Sequence, residues 1–150
     1  MNIKLKKVLL IEDNEDDIDL TLFSFKKNNV INEIIVARDG AEALDYLFGK
    51  GTYEKRDITD LPAVVFLDLN LPKVSGLDVL KQLRADVRTR RLPIVVLTSS
   101  NEEADLIASY DLGVNSYIRK PVDLGQFNDA IQQLGLYWIL LNEQPPFPRT

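Results

Sequence analysis

Short apolar runs alternate with segments of helical periodicity along the chain. Five runs predict strands at residues 7–12, 34–37, 63–67, 93–98 and 115–119. Apolar side chains at helical spacing predict helices at 16–27, 41–48, 77–84, 102–111 and 124–141. The runs at 63–67 and 93–97 are apolar without alternation, which is typical of parallel strands covered on both faces. The pattern therefore predicts an α/β fold, a doubly wound (βα)5 chain with right-handed crossovers.

The size and charge of the chain narrow the classes of partner. With 150 residues, 45% of them hydrophobic, we expect one domain over residues 1–150. The formal net charge of −5 disfavours nucleic acid and membrane surfaces, so we predict neither as a partner. No signal peptide or run of about 18 apolar residues is present, and we expect a cytoplasmic protein.

Two residue types are missing from the sequence, and their absence restricts the chemistry. There is no Cys and no His. Disulfides, thiolate nucleophiles, imidazole ligands and Ser/His/Asp triads are therefore excluded. The available chemistry must use oxygen atoms and lysine.

Polar residues close four of the five predicted strands. Glu12 and Asp13 end the first strand, Asp68 the third, Thr98 the fourth and Lys120 the fifth. Ligands of open parallel sheets collect beyond the carboxyl ends of the strands, so we expect these side chains to meet at one edge. Singly, each has a plainer interpretation: helix capping for Glu12, Asp13 and Thr98, turn formation before Pro72 for Asp68, and a solvated side chain for Lys120.

A cluster of three carboxylates needs a cation to neutralise it. Oxygen ligands without His or Cys favour a hard ion, and Mg²⁺ fits a small cluster better than Ca²⁺, which takes six to eight ligands. Lys120 would add a second positive charge, and Thr98 a hydrogen-bond donor. In such a setting Asp68 is a plausible nucleophile that forms an aspartyl phosphate.

Four segments carry a family resemblance: LLIEDN, VFLDLNLPKVSG, IVVLTSS and SYIRKP. They resemble the signature segments of receiver domains, the phosphoacceptor modules of two-component response regulators, over roughly residues 6–143. The resemblance implies a CheY-like, flavodoxin-like fold with strand order 2-1-3-4-5. It also implies a partner histidine kinase as phosphoryl donor, and a phosphoacceptor with self-catalysed phosphotransfer and dephosphorylation rather than an enzyme.

The same resemblance assigns roles to residues. Asp68 would accept the phosphoryl group. Mg²⁺, for which Mn²⁺ can substitute, would be held by Asp13, Asp68 and the backbone carbonyl of Asn70, with Glu12 acting through water. Thr98 resembles the switch hydroxyl, Tyr117 the aromatic side chain that follows it inward, and Lys120 the contact to the phosphoryl group. The Lys120–Pro121 bond resembles the family's cis peptide.

The C-terminal part of the chain suggests how the output is made. Too few residues follow the fifth helix to fold as an output domain, so we expect a stand-alone regulator with a flexible tail at 144–150. The segment YWILL at 137–141 is more apolar than a solvated helix should be, and we expect the core not to cover all of it. Tyr137 and Trp138 are therefore candidates for a partner or dimer surface. The alternative is that this segment completes the core.

The aromatic-rich tail and the longer insert after the second helix resemble small regulators paired with bacterial and cyanobacterial phytochrome kinases. A homodimer through the fourth helix, fifth strand and fifth helix would suit that group.

Three other functions compete with this interpretation. A nucleotide-dependent oxidoreductase is disfavoured because no GxGxxG follows the first strand. A small-molecule aspartyl-phosphate hydrolase is disfavoured because Asn70 stands where a second acid is expected. A receiver-like interaction module that is not phosphorylated remains an alternative.

Overall fold

The computed structural model describes residues 6–120 and 124–148. Within these ranges the strands are β1 (Val8–Ile11), β2 (Ile34–Ala37), β3 (Val64–Leu67), β4 (Ile94–Thr98) and β5 (Ser116–Arg119). The helices are α1 (Glu15–Lys27), α2 (Gly40–Phe48), α3 (Gly76–Ala85), α4 (Glu103–Asp111) and α5 (Leu124–Gly135). A short 3-10 turn, Gly51–Tyr53, follows α2.

The five strands form one parallel sheet in the order β2-β1-β3-β4-β5. Ile11 lies opposite Leu67 and Val96 lies opposite Tyr117, so the strands end close to one another. The predicted fold class and strand order are confirmed. The order reverses between β1 and β3, which places a crevice beyond the carboxyl ends of these two strands.

The sheet separates two apolar layers, and this explains why its central strands lack polar alternation. On one face, residues of the sheet pack against α1 and α5: Val8, Leu10, Phe66, Val95, Ile18, Phe25, Phe127 and Ile131. On the other, they pack against α2 and α3: Leu9, Ile11, Val65, Val96, Ala43, Leu47, Val79 and Leu83. Alternate residues of one strand therefore enter different layers, and both faces must be apolar.

Three helices that follow strands begin with a capping side chain. Asn14, Asp39 and Ser75 each accept a hydrogen bond from the backbone N–H three residues later, at 2.7–3.2 Å. These bonds satisfy donors that the first helical turn otherwise leaves unpaired. The caps fix where α1, α2 and α3 start, and with them the loops at the carboxyl edge of the sheet.

Side-chain contacts of Arg56 and of Lys7 bind the polar insert at residues 49–60, after α2, to the rest of the domain. The Arg56 guanidinium lies 3.9 Å from the centre of the Tyr46 ring and donates hydrogen bonds to the carbonyl oxygens of Tyr46 and Asp60. Lys7 pairs with Asp60 at 3.2 Å. These polar and cation–π contacts hold the insert in place although its sequence has no apolar period.

The predicted fifth helix changes character near its end. The α-helix ends at Gly135, and residues Leu136–Leu141 continue as a π-helical segment. No helix in the described ranges is long and apolar enough to cross a membrane.

The two aromatic residues of this segment have different environments. Tyr137 is 51% exposed, whereas Trp138 is partly buried and packs against the core layer of α1 and α5. Their rings meet edge to face at 4.9 Å. A partner surface at Tyr137 and Trp138 stays a prediction, as does the extent of the domain and its tail.

Candidate functional site

Three carboxylates meet at the crevice between β1 and β3. Glu12 and Asp13 follow β1, Asp68 follows β3, and one oxygen from each lies within 4.8 Å of the others. Glu12 and Asp68 are buried, at 3% and 5% exposure, whereas Asp13 is exposed at the rim. The backbone is in register here, since the Asp68 N–H donates to the Ile11 carbonyl at 3.0 Å. The topology thus gathers the acids that the sequence places at strand ends.

Lys120 brings a positive charge into this cluster from the end of β5. Its Nζ forms ion pairs with Glu12, with Asp17 at 2.7 Å and with Asp68 at 3.1 Å. An ammonium group has three N–H donors, and these three carboxylates can use them all. The backbone N–H of Lys120 also donates to the Thr98 carbonyl at 2.7 Å, which fixes the lysine beside β4.

The two oxygens of Asp68 have different partners. Oδ1 accepts hydrogen bonds from the Thr98 hydroxyl at 2.8 Å and from the Asn70 backbone N–H at 3.1 Å. Oδ2 faces the Lys120 ammonium. Because each oxygen is held separately, the carboxylate plane is fixed relative to the crevice.

The buried charges shift one another's pKa. Burial, together with the neighbouring Asp68, raises the pKa of Glu12 from an ordinary 4.5 to about 7, although Lys120 opposes the shift. Burial also acts to raise the pKa of Asp68, but hydrogen bonds from its surroundings and the charge of Lys120 hold that pKa below its usual value. Burial alone would lower the pKa of Lys120, and the surrounding carboxylates raise it instead. At neutral pH Asp68 is therefore an anion beside a permanent cation.

Two glycines set the position of the loop that carries Asp68. A Cβ added at Gly76, the first residue of α3, would lie 2.3 Å from the Asp68 carbonyl oxygen and 2.5 Å from the Leu69 Cα. A Cβ at Gly40, the first residue of α2, would lie 2.1 Å from the Val74 carbonyl oxygen. Both clashes are with backbone, which cannot easily move. The loop is therefore held between two helix starts that have no room for a side chain.

The loop after β4 links Thr98 to α4 and β5. The Ser100 N–H donates to the Thr98 hydroxyl oxygen at 3.3 Å, and the Ser100 hydroxyl donates to Asp105 of α4 at 2.6 Å. The Tyr117 hydroxyl of β5 donates to the Ser100 carbonyl at 3.4 Å. A movement of Thr98 would consequently change the contacts of α4 and of Tyr117.

The structure assembles most of the predicted site. Five side chains meet at the crevice: Glu12, Asp13, Asp68, Thr98 and Lys120. Asn70 contacts Asp68 through its N–H, and Tyr117 lies one loop away. The predicted cis peptide involves Pro121, which lies outside the described residues.

Asp17 was not anticipated as part of the site. It lies in the first turn of α1, where an acid is usually explained by the helix dipole. Its position in the helix that follows β1, at the same edge of the sheet as the other acids, was the available signal.

The oxygen-rich crevice, the buried aspartate and the sheet order define the class of protein. Residues 8–132 match the family described as the response regulator receiver domain. The chain belongs to this family, whose members are phosphoacceptor signalling proteins.

Individual relatives agree over nearly the whole chain. The response regulator Rcp1 of Synechocystis sp. is 37% identical over 134 residues, which are 89% of this chain and 89% of Rcp1. The crystal structure of the phosphorylated cyanobacterial phytochrome response regulator RcpA aligns with a TM-score of 0.87 at 37% identity, covering 95% of this chain and 99% of RcpA. The bacteriophytochrome response regulator AtBRR is 52% identical, with a TM-score of 0.75 over 94% of this chain and all of AtBRR, 100%.

Proposed function

We propose that Asp68 is the residue that accepts the phosphoryl group, from a phosphohistidine of a partner kinase. The observation that carries this proposal is the fixed Asp68 carboxylate, with Thr98 and Asn70 on one oxygen and Lys120 on the other. In the reaction, an Asp68 oxygen attacks phosphorus as the phosphorus–nitrogen bond of the donor breaks. Water later hydrolyses the acyl phosphate, which releases inorganic phosphate and restores the carboxylate.

A divalent cation fits the crevice on chemical grounds. The donors are all oxygen, and the three acids carry more negative charge than Lys120 alone can balance. We assign Asp13, Asp68 and the Asn70 carbonyl as direct ligands of Mg²⁺ or Mn²⁺, with Glu12 acting through water. When bound, the ion supplies charge neutralisation of the transferring phosphoryl group. The related Rcp1 has a crystal structure in an Mn²⁺-bound form, which supports this assignment.

The surface switch follows from the contacts of Thr98. A phosphoryl group on Asp68 would replace the carboxylate oxygen as the acceptor for the Thr98 hydroxyl and for Lys120. Ser100 and Tyr117 are connected to Thr98 through the loop after β4, so the rearrangement reaches α4 and β5. The changed face of α4 and β5 is the output in this proposal, and it requires a difference in phosphoryl affinity between two conformations.

The kinase is proposed to be of the phytochrome type. The support is the similarity to RcpA and to AtBRR, whose names connect them to phytochromes. Action as a stand-alone cytoplasmic regulator, a homodimer through α4, β5 and α5, and the absence of nucleic-acid and membrane partners stay predictions from the sequence.

The acceptor is tested with acetyl phosphate as phosphodonor, with and without Mg²⁺, by intact-mass measurement. We expect wild type to gain the mass of one phosphoryl group only when Mg²⁺ is present, and Asp68→Asn to gain none. Asp78→Asn is the matched control, because Asp78 is an exposed acid in the first turn of α3, just after the acceptor loop. Its labelling should equal that of wild type.

Two results would contradict the proposal. Equal labelling of Asp68→Asn and wild type would place the acceptor elsewhere. No labelling of wild type by acetyl phosphate or by a phosphorylated kinase would favour the unphosphorylated interaction module.

A further inference from the structure

Lys120 has a third carboxylate partner that the proposed chemistry does not use. Its Nζ donates to Asp17 Oδ2 at 2.7 Å, a shorter contact than the 3.1 Å to Asp68. The Asp17 side chain is 35% exposed, against 4% for Glu12 and 5% for Asp68. Asp17 therefore lies on the solvent side of the lysine, whereas the other two partners lie inside the crevice.

The usual function of an acid at this helix position is carried out by a different residue. Asp17 is the third residue of α1 after the cap Asn14, where an acidic side chain commonly reaches back to the N–H of the capping residue. Here the Asn14 N–H donates to Glu12 Oε2 at 3.3 Å instead. Only the backbone N–H of Asp17 serves the cap, by donating to Asn14 Oδ1 at 3.0 Å. The Asp17 carboxylate is directed to Lys120.

Lys120 and a metal ion would share two of the same carboxylates. Two of the three partners of the ammonium, Glu12 and Asp68, belong to the cluster proposed to hold the cation. Like charges repel, so binding of a divalent ion must weaken the hold of these two acids on the lysine. Asp17 is the one partner of the three that lies outside that cluster.

We propose that Asp17 is a positioning residue that acts through Lys120. As the cation engages Glu12 and Asp68, Asp17 retains the ammonium at the rim of the crevice, within reach of an incoming phosphoryl group. Without Asp17, the lysine stays more firmly on the two buried acids and opposes the metal. This inference rests on the proposed function, because it assumes that the crevice binds a divalent cation.

The test measures the affinity for Mn²⁺ alone, by the loss of the free-ion signal in electron paramagnetic resonance. We expect Asp17→Asn to weaken Mn²⁺ binding about three- to tenfold, as loss of a partly buried ion pair allows. Asp16→Asn is the matched control, since Asp16 is exposed in the same helical turn and carries the same charge. It should change the affinity less than about twofold, through the long-range field alone.

A second pair of variants tests whether the effect passes through the lysine. In a Lys120→Met background, Asp17→Asn and Asp16→Asn should have equal effects on Mn²⁺ affinity. If Lys120→Met does not fold, Asp17→Glu and Asp17→Gln are compared with each other in the wild-type background. Their side chains have the same length, and only the charged Asp17→Glu should bind Mn²⁺ more tightly than Asp17→Asn. Thermal unfolding followed by circular dichroism verifies that each variant is folded.

Equal effects of Asp17→Asn and Asp16→Asn in the wild-type background would overturn the inference. So would an Asp17→Asn effect that persists without Lys120, because Asp17 would then act on the metal directly. Either result leaves the proposed function intact if wild type binds Mn²⁺ and accepts phosphate from acetyl phosphate. Failure of wild type to bind Mn²⁺ would remove the basis of both proposals.

Discussion

Two partly buried cations, Lys120 and Arg84, are held in opposite ways. Lys120 lies at the carboxyl edge of the sheet and contacts three carboxylates. Arg84, near the end of α3, donates to four backbone carbonyls at 2.8–3.0 Å: those of Arg90, Leu92, Leu112 and Gly113. The pKa of Lys120 is raised by its acids, whereas burial lowers the pKa of Arg84. The protein thus places one cation among charges and the other among dipoles.

The two sets of partners differ in whether they can be exchanged: side-chain carboxylates can bind another cation, whereas backbone carbonyls at a fixed loop stay with the arginine. In the proposed reaction, a metal ion would take over carboxylates around Lys120, and the lysine would then turn to a phosphoryl oxygen. The carbonyls around Arg84 belong to the loop before β4 and to the end of α4, and they are fixed parts of the backbone. Arg84 therefore joins three parts of the backbone, and its rigid fork suits that purpose better than a lysine would.

The largest effect is expected at Lys120. Lys120→Met should reduce the rate of phosphorylation by acetyl phosphate about 100-fold or more, the usual cost of losing a charge that stabilises a transition state. In the absence of metal it should also lower the Tm, because buried acids lose their counter-charge, and Mg²⁺ should recover much of that loss. Stopped-flow kinetics and thermal unfolding measure both. A rate within about threefold of wild type would remove Lys120 from the chemistry.

Arg84→Met should show the converse behaviour. We expect the free energy of unfolding to fall by about 2 to 4 kcal/mol, because several carbonyls lose a charged donor. Mg²⁺ should not restore it, and the phosphorylation rate should stay within about twofold of wild type. Urea unfolding measures the stability, with Arg91→Met as an exposed neighbouring control. A small loss, equal to that of the control, would show that the four carbonyl contacts add no stability.

A smaller effect concerns pH. Because burial and Asp68 raise the pKa of Glu12 to about 7, this acid holds a proton at pH 6 in the metal-free protein and has lost it at pH 8. A cation binds the ionised form, so Mn²⁺ affinity should rise about tenfold between pH 6 and pH 8 and then level off. Glu12→Gln should flatten the curve. An unchanged pH profile in that variant would assign the proton to another group.

The fold was predictable because each strand and helix obeys a local rule. Strands covered on both faces must be apolar throughout, and the helices between them bury one stripe. The five crevice side chains were predictable for a related reason, since the topology sends every strand's carboxyl end to the same edge. A residue that follows a strand in the sequence could therefore be placed at the carboxyl edge of the sheet.

The remaining features depend on contacts that no local pattern encodes. Asp17 and Lys120 are 103 residues apart in the chain and meet only because α1 and β5 reach the same edge. Arg84 is a helical arginine that would be expected in solvent, and its carbonyl partners lie up to 29 residues away. The insert at residues 49–60 is rich in polar residues, yet its Arg56 stacks on Tyr46. These contacts depend on how far a side chain reaches and on the path of a loop. Neither property produces a periodic pattern in the sequence.

The glycines at positions 40 and 76 have a consequence for mutational screens of this protein. Neither carries a reacting group, yet a single added methyl at either one would press on backbone of the loop that follows β3. A selection for loss of signalling should return substitutions here beside those at Asp68. Such variants would be misread as catalytic if only activity were scored. The position of the loop that carries Asp68 thus depends on the absence of a Cβ atom at both glycines.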